Sequence, residues 1–219
     1  MTTLLAIGAN AVAQNYVSQP PLPNGGVFRW SQLWIDPSPA GNDLDSDAIC
    51  YSGFTLNQNA TIKRLDWWGK GAHELGFQLE IWRQDPGTIA YQPLGVFREQ
   101  GAHPDWELTT NNYHTEAFGN FLHHWIDLPN PVQLAANNSS NPRWFFSVIA
   151  NTGVPYATWD WAQATNGTGT FYWIRGQHMF FLVGDPRAFK ITGDPVPEPA
   201  TMVGLLFGAG FIGIRRLRK

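Results

Sequence analysis

The sequence predicts an all-β fold, a two-layer antiparallel sandwich, followed at its C-terminus by a single helix of transmembrane type. Three observations carry this. From about Phe28 to Thr192, short apolar runs are separated by turn residues. Gly and Pro are frequent, at 22 and 16 residues, and are spread through the chain rather than gathered into one block. No window ahead of the C-terminal tail sustains a helical period over three turns. Many short strands joined by Gly/Pro/Asn turns produce this composition, and a helical bundle does not. A length of 219 residues suits one domain with short appendages at both ends, large enough to bury a core without disulfides.

The first appendage is 1–13. Thr3 to Ala13 is mostly small and apolar and ends in Ala11-Val12-Ala13, a pattern that signal peptidase accepts, so the mature chain is expected to begin near Gln14. No Lys or Arg precedes the apolar stretch, as in a weak signal or one whose start has been placed too far downstream. Residues 14–27 read as a linker, and 28–193 as the sandwich.

Within the sandwich, Phe54-Thr55-Leu56 and the run Thr61 to Gly69 alternate like half-buried strands, with a turn at Asn57 to Ala60. Phe77 to Trp82 puts Phe77, Leu79 and Ile81 on one face and Gln78, Glu80 and Trp82 on the other. Asp85-Pro86-Gly87 reads as a turn and Leu94 to Phe97 as the next strand. His123 to Leu128 is expected to stop at Pro129 and Pro131. Arg143 to Ala150 is the strongest apolar strand, and Phe171 to Ile174 and Ala188 to Thr192 complete the set. Strands at this spacing without intervening helices indicate a sandwich of the jelly-roll kind.

The second appendage is tripartite. Residues 194–199 form a linker ending in Pro197-Glu198-Pro199, residues 200–214 an apolar helix, and residues 215–219 a basic end, with Arg215, Arg216, Arg218 and Lys219. The apolar run is short for a bilayer whose hydrocarbon core of ~30 Å takes about 20 helical residues. Snorkelling arginine stems would help it cross a thin membrane. The basic cluster would then sit in the cytoplasm and everything upstream outside.

Charge excludes some classes. The net charge is -3, so nothing points to nucleic acid as a partner. The lone cysteine, Cys50, lies in the strand-like Ala48-Ile49-Cys50-Tyr51 and reads as an inert core thiol. Two constellations could carry binding chemistry. Asp43, Asp45 and Asp47, with Asp185 closing the shell, offer oxygens to a calcium ion, although the glycine and glutamate of an EF-hand are absent; a solvated Asp/Asn turn explains the same residues. The chain also holds 11 Trp, 14 Phe and 6 Tyr. Trp159 and Trp161, two apart in a strand, share a face and would stack on a sugar ring, with Asp160 and Gln163 to fix hydroxyls; turned inward, the same pair is core. His123 and His124 face opposite ways in a strand and cannot chelate together. Among Glu74, Glu80, Glu99, Glu107 and Glu116, no spacing selects a glycosidase pair.

The tail resembles the PEP-CTERM sorting signal of bacterial exported proteins in its Pro-Glu-Pro triplet, apolar segment and basic end, in that order. The resemblance implies recognition by an exosortase, a membrane protease that cuts near the triplet, and a place at the cell surface or in an exopolysaccharide or biofilm matrix. The segments Phe54 to Leu56, Ile62 to Gly69, Phe77 to Trp82 and Gly184 to Gly193 also resemble a β-sandwich domain common among such proteins, which is similar to jelly-roll carbohydrate-binding modules. Together these imply a non-enzymatic surface or matrix protein, transiently anchored in the inner membrane, that binds exopolysaccharide. A carbohydrate-active hydrolase on the same scaffold and a purely structural matrix component are the alternatives.

Overall fold

The computed structural model describes residues 13–35, 47–85, 92–93, 103–175, 177 and 179–194. These form strands β1 (Gln14–Gln19), β2 (Arg29–Trp30), β3 (Gln32–Trp34), β4 (Ala48–Phe54), β5 (Ala60–Gly71), β6 (Phe77–Arg83) and β7 (Trp106–Thr110). The second half of the chain supplies β8 (His114–Phe118), β9 (Phe121–Leu134), β10 (Trp144–Thr152), β11 (Trp159–Trp161), β12 (Thr170–Ile174), β13 (Met179–Val183) and β14 (Phe189–Asp194). The all-β expectation holds for these residues.

The strands build two sheets. In the first, the long β5 pairs along one edge with β9, which carries β8 outside it. Its other edge pairs in succession with β14 and β11, backed by β1 and β2. The second sheet runs β13-β12-β4, then β3 and β10, then β6-β7. All its pairings are antiparallel except β3 with β10. The sheets face each other through one core, to which the first gives Leu65, Trp67 and Ile191 and the second Leu79, Phe146 and Val148.

Alternation predicts the inner faces well. Phe77, Leu79 and Ile81 point to the core as expected, but the far face of the second sheet is buried too. Ile49, Tyr51, Trp82, Phe145, Phe171 and Trp173 form a second apolar cluster there. Glu80 is fully buried in it and accepts a 2.8 Å hydrogen bond from Trp82 Nε1. This explains why β4 and β10 read as continuous apolar runs rather than alternating ones.

Three expectations need correction. The stretch 14–27 is no plain linker, because β1 pairs with β14 and Tyr16 and Val17 pack against the core. The Phe54-Thr55-Leu56 strand ends at Phe54 and starts earlier, at Ala48. Pro129 and Pro131 do not end their strand: β9 runs on to Leu134. Opposite them the register jumps from Arg64↔Asp127 to Ile62↔Val132, so both prolines sit in an exposed bulge where their missing N–H is not needed for the ladder. The Pro86-Gly87 turn, the Leu94 to Phe97 strand, nearly all of the 1–13 segment and the 200–214 helix lie outside the described residues. Among the described residues, no helix is long and apolar enough to cross a membrane.

Candidate functional site

The residues picked from sequence do not come together. Trp159 and Trp161 are fully buried and pack on Phe77 and Phe146, and Trp161 Nε1 donates to the Ala188 carbonyl at 2.8 Å. They are core, so the proposed stacking platform fails for want of exposure. Asp160 points to the opposite face, where burial raises its pKa against the pull of Lys70. Gln163 Oε1 accepts from the Val27 N–H at 2.8 Å and braces a loop.

Of the four carboxylates read as a calcium shell, the two described ones are already committed to arginines. Asp47 accepts from the Trp34 N–H at 2.8 Å and from Arg175 Nη1 at 2.7 Å. Asp185 accepts two bonds from Arg29, at 2.8 and 2.9 Å, and another from Arg187. Burial works to raise the Asp185 pKa, but these two arginines outweigh it and hold the group below the usual carboxylate range. Carboxylates already bonded to guanidinium groups are poor ligands for a hard cation. Asp43 and Asp45 lie outside the described residues. Cys50 is the inert thiol expected: it is fully buried, with its pKa pushed up to about 12 by desolvation.

A different constellation gathers on β8, β9 and β5. Period two divides β9 cleanly: His124 and Ile126 turn to the core, while His123, Trp125 and Asp127 turn away from it. Register then places Glu116 beside His123 and His114 beside Trp125, both from β8, and Asp66 beside Trp125 from β5. His123 bridges the sheet. Its Nε2 lies 2.9 Å from Asp66 Oδ1 and its Nδ1 2.8 Å from Glu116 Oε1, while its ring stacks on Trp68 at 4.6 Å. Burial would lower the His123 pKa, but the two carboxylates outweigh it and raise it. Burial likewise pushes Asp66 up, and its bonds from His123 and Arg64 bring it below its ordinary value. Trp125 stands between His114, stacked at 5.2 Å, and the Arg64 guanidinium, also at 5.2 Å.

At the end of this ridge a pocket of about 190 Å³ opens where the chain crosses from β7, at the edge of the second sheet, to β8, at the edge of the first. Leu108, Ile126 and Pro129 give it apolar wall, and Thr110, Asn112, His114 and Asp127 give it donors and acceptors. His114 belongs to both ridge and pocket, its ring held by Trp125. Apolar surface to meet C–H faces, rimmed by a few polar groups that fix orientation, is the make-up of a small-ligand site. Among the described residues, Asp127 is the one carboxylate in this lining. Glu116 is committed to His123, Glu80 is buried beside Trp82, and Glu99 lies outside the described residues. Sequence reasoning missed the pocket because its residues come from three strands whose pairing no local pattern announces. The polar face His123-Trp125-Asp127, opposite an apolar one, was the available signal.

The match to a known sequence family lies beyond the sandwich. Residues 195–219 match the PEP-CTERM protein-sorting motif. The PEP-CTERM match covers Pro197, Glu198 and Pro199 and the basic Arg215, Arg216, Arg218 and Lys219. It implies export to the cell envelope or surface and processing by an exosortase. No curated protein and no solved structure matches the chain. The PEP-CTERM motif therefore speaks for destination, and the chemistry of the sandwich has to be argued from its own residues.

Proposed function

We propose that the sandwich is a non-enzymatic, polysaccharide-binding domain displayed outside the cell, and that the β7–β8–β9 pocket takes one sugar unit of an extracellular polymer. The carrying observation is the pocket's mixed lining: Leu108, Ile126 and Pro129 for the C–H faces, and Thr110, Asn112, His114 and Asp127 for the hydroxyls. The ridge of Trp125, His123 and Glu116 would meet neighbouring units of the chain. A single carboxylate among the described lining residues favours binding over hydrolysis, since glycosidases as a rule place two carboxyl groups about the scissile bond. The apolar 200–214 segment fits a transient inner-membrane anchor, long enough to be recognised and too short to be a comfortable permanent span.

Affinity electrophoresis of the full chain through gels cast with bacterial extracellular polysaccharides tests this. The expectation is retardation in at least one polymer, weakened about tenfold by His114→Ala, the loss of roughly 1.4 kcal/mol. Migration unaffected by every polymer would leave a purely structural matrix role. Release of new reducing ends would favour the hydrolase.

A further inference from the structure

We infer that β13 is a self-association edge: two copies of this chain pair their β13 strands antiparallel about a two-fold axis and join their second sheets into one. Among the described residues β13 is the last strand of its sheet, paired to β12. It carries Met179, Phe180, Phe181 and Leu182 in a row, between 40% and 55% exposed, with no charged residue from 179 to 183. Sheet edges are ordinarily blunted by lysine, proline or a bulge; this one has none of them. An edge strand that exposes four large apolar side chains in sequence offers a surface for strand addition.

The occupant is defined by two requirements. An edge strand takes another strand, through main-chain hydrogen bonds. That strand must also be apolar on both faces. Register puts Phe180 opposite Trp173 and Leu182 opposite Phe171, so these two continue the buried cluster of the far face; Phe180 stacks on Phe171 at 5.7 Å. Met179 and Phe181 lie on the other face, Phe181 opposite Tyr172, which packs against the core. The other sheet-end strands are mismatched: β7 carries Glu107, β8 carries His114 and Glu116, β2 carries Arg29, and β1 is mostly polar. A second β13 matches. Paired antiparallel about Phe181, it sets Met179 against Val183 and Phe180 against Leu182, extending both apolar layers with no like charges opposed.

The test measures the oligomeric state of the full chain by sedimentation equilibrium, beside Phe181→Lys and Phe181→Cys. The inference predicts a wild-type dimer and a dimer dissociation constant raised at least about 100-fold in F181K, because each interface would bury two unpaired ammonium groups. In F181C, a short bis-maleimide should link the two copies at position 181, an outcome that does not depend on F181K folding well; Cys50 is fully buried and does not compete. A monomeric wild type would overturn the inference. So would a dimer that survives F181K with its circular dichroism intact, as contact through the 200–214 segment would give, or a dimer in which position 181 does not cross-link.

Discussion

His124 is fully buried beside Trp67, Phe77 and Tyr113, with Nδ1 2.8 Å from Thr115 Oγ1. Desolvation, helped by His73 and His123, lowers its pKa from an ordinary 6.5 to about 3. A base depressed on folding takes up protons more readily when unfolded, so the stability tied to its neutral form is lost as pH falls from about 6.5 towards 3. Fully expressed, that loss is roughly 5 kcal/mol. His123, one residue away, has the opposite sign: its pKa is raised, so its contribution is present below the ordinary histidine pKa and lost as pH rises through the folded value. Denaturant unfolding across pH should therefore show an acid limb that His124→Phe flattens and Glu116→Gln does not; equal limbs in wild type and H124F would contradict this. The opposed faces of the two histidines were legible from strand geometry alone. The fate of Asp185 was not: its partner Arg29 lies 156 positions away, so an acidic residue that reads as a ligand becomes half of an ion pair only after folding.

At the scale of elements, strands with clean alternation were readable, as β5 and β6 show. Strands of two or three residues, such as β2 and β3, hold no period to read and exist through their neighbours. β13 escaped for a different reason: Met-Phe-Phe-Leu-Val has neither alternation nor turn residues inside it, and its exposure is a property of the sheet edge rather than of its sequence. The continuation of β9 past two prolines depended on a bulge that only the pairing with β5 reveals. The last strand is held by an equally local demand. Gly193 sits at the register shift between β14 and β5, and a Cβ there would collide with the backbone carbonyl of Thr61. Since the obstacle is main chain and cannot swing aside, Gly193→Ala should cost at least about 2 kcal/mol in chemical denaturation. A variant as stable as wild type would mean that β14 and β5 can shift apart without loss.

For the whole molecule, destination and chemistry are written in separate places. The PEP-CTERM match at 195–219 marks the chain for export and is legible as a linear string, because a processing enzyme reads it as one. The pocket is not linear: Leu108, His114 and Asp127 come from three strands, and it exists only once the two sheets bring β7, β8 and β9 together. The same sheets place the aromatic-rich β13 on a different edge, so polymer binding and self-association need not compete for surface. Such a division would serve the proposed polysaccharide binding, because weak single-site contacts gain strength when copies are linked. The most direct test is hydroxyl-radical footprinting of the full chain with and without the polysaccharide that retards it. The binding account predicts reduced oxidation of His114, Trp125 and Pro129, with Tyr156, exposed in a loop outside the pocket, unchanged. Protection elsewhere on the sandwich, with His114 and Trp125 labelled as in the absence of polymer, would contradict it.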